Sequence, residues 1–156
     1  MKRLTLMIAL VSLLVAGSAL AMKGSADVVK VKPATANLSA AAGERIDFEV
    51  KVDIDKTWHL YAHGDSNFIG IDLVPVEGCF LKDLKVEYPH GHEGEFFGEK
   101  VMMISGSVAI KGNALVPADT KAGQYEQGFT VTAQACDDKT CLPPADLPLS
   151  FKLTVK

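Results

Sequence analysis

The chain has 156 residues, with 16 basic against 19 acidic and a formal net charge of −3. That length suits a single domain, and the mildly acidic balance with no basic cluster argues against nucleic acid and anionic lipid as partners. With 48% hydrophobic residues there is enough apolar surface to bury a core.

The first residues read as an export leader. Lys2 and Arg3 form a charged start, Leu4 to Val15 an apolar centre, and Ala19-Leu20-Ala21 an A-x-A cleavage site. The apolar run falls short of the about 20 residues that a membrane span needs, and no stop-transfer pattern follows. No cysteine stands at the cleavage point to accept a lipid. Cleavage after Ala21 is therefore expected, with residues 1–21 as signal peptide, residues 22–27 as a flexible lead-in and residues 28–156 as one domain. Without Lys2 and Arg3 the 16 basic residues become 14 against 19 acidic, a charge of −5. No second hydrophobic segment exists, so no direct membrane insertion is expected after cleavage. The expected location is the periplasm.

Beyond the leader the pattern is that of an all-β protein. Val28 to Val31 is a short strand candidate, and Ile46, Phe48, Val50, Val52 and Ile54 alternate with polar residues, the period-2 mark of a strand with one buried face. Further candidates are Trp58 to Ala62, Phe68 to Val74, Leu84 to Tyr88 and Val101 to Ile110. Phe129, Val131 and Ala133 alternate again, as do Leu147, Leu149, Phe151, Leu153 and Val155. Turn residues separate these runs at Ala42-Gly43-Glu44, Pro75 to Gly78, Lys111-Gly112-Asn113 and Lys121-Ala122-Gly123. No run outside the leader sustains a 3.6-residue spacing. Seven to nine short strands at such intervals favour an immunoglobulin-like β-sandwich over a barrel.

Between the last two alternating runs lies Gln134-Ala135-Cys136-Asp137-Asp138-Lys139-Thr140-Cys141-Leu142-Pro143-Pro144. In an oxidising compartment this cysteine pair can cycle between dithiol and disulfide. A bridge closing about six residues constrains the unfolded chain by only ~2 kcal/mol, against ~4–5 kcal/mol for one spanning a domain. A disulfide needs Cα atoms about 4.4–6.8 Å apart, which the two sides of a tight loop can provide. Asp137 and Asp138 disfavour a nearby thiolate and Lys139 favours one. Pro143 and Pro144 stiffen the exit from the loop. Cys79 is the odd thiol, expected as a small buried core residue. Three readings stay open on spacing alone: thiol–disulfide exchange, an inert disulfide tying a hairpin, and a metal site.

The stretch from Lys56 to Lys152 resembles the periplasmic amino-terminal domain of the DsbD thiol:disulfide reductases, an immunoglobulin-like module that relays electrons. Trp58-His59-Leu60-Tyr61 is similar to the aromatic segment beside that family's active site. His92-Glu93-Gly94-Glu95-Phe96-Phe97-Gly98 is similar to its cap loop, and Thr132-Ala133-Gln134-Ala135-Cys136 through Cys141-Leu142-Pro143-Pro144 to its redox segment. The loop between the cysteines is one residue shorter than in the best-known members, and Gly94 stands where those tend to carry an acid.

The resemblance implies that Cys136 and Cys141 are the catalytic pair, with Cys141 forming the mixed disulfide and Cys136 resolving it. It implies that Phe96, flanked by Gly94 and Gly98, caps the sulfurs with Glu95 beside it, and that Phe97 packs. Tyr61, His59 and Pro143 become pocket support. The activity implied is that of a protein-disulfide reductase or electron-relay component, free-standing and without cofactor or metal. Its partners are then a membrane electron donor of the DsbD or CcdA type and periplasmic client proteins of thioredoxin fold.

Two other classes compete. His90-Gly91-His92, Met102-Met103 and the pair His59 and His63 suggest a copper- or zinc-binding protein. A non-catalytic β-sandwich with a structural disulfide is the other. No G-x-S-x-G nucleophile motif or glycine-rich phosphate loop is present.

Overall fold

The computed structural model describes residues 22–65 and 67–156, so the expected leader lies outside the described residues. A 3-10 turn at Ser25–Asp27 precedes eleven strands: β1 (Val29–Pro33), β2 (Asn37–Ala40), β3 (Arg45–Ile54), β4 (Leu60–Tyr61), β5 (Asp72–Pro75), β6 (Lys82–Glu87), β7 (His92–Phe96), β8 (Glu99–Ile104), β9 (Ser107–Leu115), β10 (Gly123–Ala133) and β11 (Ala145–Val155). Two four-stranded sheets, ordered β1-β3-β9-β6 and β2-β11-β10-β5, pack face to face as an immunoglobulin-like sandwich. A three-stranded sheet, β4-β8-β7, forms a separate small layer.

The alternating runs become the strands that face the core. Along β3 the residues Ile46, Phe48, Val50, Val52 and Ile54 are buried while their neighbours point outward. In the other sheet Phe129 and Val131 of β10 and Leu149, Phe151, Leu153 and Val155 of β11 do the same. The sheets meet through three rings: Phe48 lies 4.9 Å from Phe129 and 5.2 Å from Phe151, centroid to centroid. Cys79 is the free cysteine, half-buried, and its thiol donates to Gln127 Oε1 at 3.4 Å.

Several local expectations are corrected. Val101 to Ile110 is two strands, β8 and β9, interrupted at Ser105-Gly106. β2 and β7 carry too few apolar residues to announce themselves, and β2 joins its sheet in parallel through β11. Lys111-Gly112-Asn113 is no turn but lies inside β9, opposite Glu49, Phe48 and Asp47 of β3. Gly112 is there because the Phe48 ring packs on its Cα: a Cβ would lie 2.2 Å from Phe48 Cζ. The lead-in expected over residues 22–27 is structured from Ser25 onward, with Ser25 fully buried.

Gly112→Ala therefore forces the Phe48 ring from its place between the sheets, and a loss of about 1–3 kcal/mol in urea denaturation is expected. Combining it with Phe48→Leu should cost less than the sum of the two single changes, since the smaller side chain vacates the space.

Candidate functional site

The ladder between β10 and β11 runs from Gly123↔Val155 to Ala133↔Ala145, and the cysteine loop is the connection at its end. Cys136 and Cys141 are joined by a disulfide, with their Cα atoms 4.0 Å apart. Inside the loop the Asp137 carboxylate accepts the backbone N–H groups of Lys139 and Thr140, both at 2.8 Å, and Asp137 N–H donates to the Thr140 carbonyl at 2.9 Å. Those N–H donors hold the Asp137 carboxyl below its ordinary range. An aspartate at this position thus shapes the turn from within it.

The segment just before β4 fixes the first cysteine. His59 and Cys136 exchange two backbone hydrogen bonds, N–H to carbonyl in each direction, both at 2.9 Å. Leu142 N–H closes the loop on the Ala135 carbonyl at 2.8 Å. Strand alternation then sends the side chains of His59 and Tyr61 to the same side. Their rings meet edge-on at 5.4 Å, with His59 Nε2 3.5 Å from Tyr61 Oη.

The β7–β8 hairpin covers this region. Phe96 is 4% exposed, and with Tyr61, Val101 and Cys136 it forms a small buried cluster distinct from the main core. Cys141, Met103 and Phe68 pack against that cluster and stay partly exposed. Phe96 stands 6.0 Å from both His59 and Tyr61 and 5.4 Å from Phe68, whose ring stacks on Tyr61 at 4.4 Å. Phe97 and Gly98 make the two-residue turn, both in the left-handed region at φ 50° and 84°.

The fold thus brings together Cys136, Cys141, Phe96, Tyr61 and His59. It does not bring Glu95, which is exposed and alternates to the face opposite Phe96. Pro143 is exposed too, and its carbonyl accepts from Ser25 rather than lining the aromatic cluster. Phe97 is 77% exposed, with its ring T-shaped to that of Phe96 at 4.4 Å, so it is no buried packing residue. Gly94 is not a hinge at a loop edge. It lies within β7 under the Met103 thioether, where a Cβ would come 2.6 Å from the sulfur. Phe68 and Ser25 are not singled out by the sequence: the Ser25 partners lie more than 100 residues along the chain, and no local period marks Phe68 as a partner of Tyr61 and Phe96.

Burial sets the ionisation of the cover. The Tyr61 phenol is pushed up to about 12, chiefly by desolvation and then by Asp65. The His59 imidazole is lowered from its ordinary 6.5, mainly by burial, with Asp138 and Asp137 opposing and His92 adding to the shift. Among the described residues no three of His, Cys, Asp or Glu come together as a metal-holding group, and no helix is long and apolar enough to cross a membrane.

A family model described as thiol:disulfide interchange protein DsbD, N-terminal, matches residues 25–150. Among solved structures, the N-terminal periplasmic domain of ScsB from Proteus mirabilis superposes with a TM-score of 0.58 at 11% identity, covering 83% of this chain and 47% of that one. That likeness is one of fold, and this chain spans about half the length of the ScsB structure. A family 123 glycoside hydrolase from Clostridium perfringens overlaps at a TM-score of 0.46 and 10% identity, over 83% of this chain and 28% of that one, too loosely to bear on chemistry. No curated protein is similar enough in sequence to count as a relative.

The lowered His59 value has a definite consequence for stability. Below pH 6.5 the unfolded chain takes up a proton at His59 that the folded chain resists. Stability from this residue is therefore complete above that pH and is lost as the pH falls from there toward the folded-state value. Urea unfolding of the wild type should weaken more steeply over that window than unfolding of His59→Gln. Equal slopes would show that the ring is not held neutral.

Proposed function

The chain belongs to the DsbD amino-terminal domain family, and on that premise we propose that it is an exported, periplasmic thiol–disulfide interchange protein whose Cys136–Cys141 pair passes electrons between partner proteins. The observation that carries the proposal is the arrangement of the two sulfurs' residues: Cys136 is fully buried against Phe96 and Tyr61, whereas Cys141 stays partly exposed. A disulfide serving only to staple a hairpin needs no aromatic cover.

In this reading a membrane donor of the DsbD or CcdA type delivers electrons by attacking the disulfide with a thiolate. The sulfur–sulfur bond breaks, a mixed disulfide forms with one cysteine, and the donor's second thiolate resolves it. The domain leaves as a dithiol, two electrons and two protons richer. It then meets an oxidised client of thioredoxin fold. Cys141, the accessible residue, attacks as a thiolate and Cys136 attacks the resulting mixed disulfide, which releases the client as a dithiol and restores the Cys136–Cys141 bond.

Phe96 acts as the lid between encounters. Thiols in an oxidising compartment are exposed to small oxidants, and a buried ring that must swing aside lets a docked protein in more readily than it admits a small molecule. The neutral His59 and the un-ionised Tyr61 form the wall on which Phe96 rests. Glu95 faces away from this wall and has no part in the lid.

Equilibration with glutathione buffers, read by alkylation and mass, tests the proposal. Cys136 and Cys141 should titrate together as one two-electron couple while the protein stays folded, and Cys79 should not follow them. Persistence of the disulfide through every buffer would overturn the reading. The Cys136→Ser/Cys141→Ser double variant should stay folded, losing only about 2 kcal/mol. Phe96→Ala should speed reduction by dithiothreitol about tenfold, as expected if closing the lid is worth ~1.4 kcal/mol to the barrier.

A further inference from the structure

The β10–β11 ladder ends at Ala133↔Ala145, and the chain beyond it is unequal on its two sides. Gln134 and Ala135 lead up to Cys136, whereas Leu142, Pro143 and Pro144 return from Cys141. One extra residue on the return side, and prolines with no N–H to offer, prevent the ladder from continuing in register. Leu142 N–H still reaches the Ala135 carbonyl at 2.8 Å. The Ala135 N–H and the Pro143 carbonyl are left without each other.

Ser25 meets both. Its Oγ accepts from Ala135 N–H at 2.9 Å and donates to the Pro143 carbonyl at 2.8 Å, and that carbonyl also accepts Ser25 N–H at 3.1 Å. Ser25 and Ala135 are both fully buried, so water has no ready access to replace the hydroxyl. The segment around Ser25 is itself anchored. The Asp27 carboxylate accepts Gly24 N–H at 2.7 Å, Val28 N–H closes on the Ser25 carbonyl at 3.1 Å, and the Lys23 ammonium sits 5.0 Å from the centroid of a Trp58 ring. Trp58 immediately precedes His59, whose backbone holds Cys136.

We infer that Ser25 is a positioning residue for thiol–disulfide exchange: its hydroxyl clamps the two stems of the cysteine loop and keeps Cys136 and Cys141 within bonding reach after the bond between them is broken. The inference rests on the reading of this pair as an exchanging one. In the oxidised protein the disulfide already ties the stems. On reduction two electrons and two protons convert it to two thiols, and the stems are then held by the clamp, by the Leu142–Ala135 bond, by the Gln134 side-chain amide donating to the Leu142 carbonyl at 3.3 Å and by the Asp137 turn. A clamp that keeps two thiols adjacent raises their effective concentration and favours re-formation of the bond. The coupling is reciprocal: if the clamp favours the disulfide, the disulfide favours the clamp, and reduction loosens the Ser25 segment.

The test equilibrates the wild type, Ser25→Ala and Ser25→Thr with glutathione. The reaction followed is protein dithiol plus oxidised glutathione giving protein disulfide plus two reduced glutathiones. Ser25→Ala should move the equilibrium about three- to tenfold toward the dithiol, the range of one to two lost hydrogen bonds. Ser25→Thr, which keeps the hydroxyl, should stay near the wild type. A purely structural role would lower the stability of both redox forms alike and leave the equilibrium in place, which overturns the inference. Should Ser25→Ala fail to fold, amide hydrogen exchange of the wild type decides: the Ser25 and Ala135 amides must exchange faster in the dithiol than in the disulfide form, and equal protection overturns the clamp. A wild type that never equilibrates with glutathione sinks the exchanging pair and the clamp together. A wild type that equilibrates beside an unmoved Ser25→Ala sinks the clamp alone.

Discussion

The antiparallel pairing of β10 with β11 is the constraint on which the rest of the molecule depends. Its unbroken register, Gly123↔Val155 to Ala133↔Ala145, puts Phe129, Val131, Leu149, Phe151 and Leu153 on one face against the opposite sheet. The same register delivers the two cysteines to opposite sides of a single connection. The strands thus bring Cys136 and Cys141 together at the end of one ladder. Long ladders with one buried face hold their register firmly, because a slip of one residue would turn every apolar side chain to solvent.

Two packing regimes coexist. The main core is broad and spans both large sheets, with Phe48, Phe129 and Phe151 at its centre. The cluster that includes Cys136 is small, made of Tyr61, Phe96 and Val101 with a few partly exposed neighbours. A sulfur placed in the large core would be inert, and one on open surface would be exposed to any oxidant. The small cluster is the intermediate case, with few buried side chains around the sulfur. The hairpin that provides the cover carries a local cost at its tip, where Phe97 adopts the left-handed conformation at φ 50° that glycine or asparagine would take more readily. The result is an aromatic ring held out in solvent at the tip of the hairpin.

Charge is kept outside this cover. Asp137 spends its carboxylate on the backbone of its own turn, and Glu95 faces away from Phe96. The rings beside Phe96, His59 and Tyr61, are both biased toward their neutral forms by burial.

Much of this was legible in the sequence. Strand faces follow from period-2 alternation, which is local, and β3, β10 and β11 show it over their buried stretches. The all-β sandwich, the position of the cysteine loop between the last two strands, and the odd status of Cys79 follow from pattern and count. The aromatic segments at Trp58–Tyr61 and His92–Gly98 were legible as motifs, though not where each side chain of them points. Tertiary structure alone decided that Phe96 turns in while Glu95 and Phe97 turn out, that Gly112 lies under the Phe48 ring inside a strand, and that Ser25 bridges Ala135 to Pro143. Those outcomes depend on contacts between residues far apart in the chain, with 110 positions separating Ser25 from Ala135. Alternation reports which face of a strand is apolar, but it carries no record of which distant backbone group will need a partner once the strands have closed.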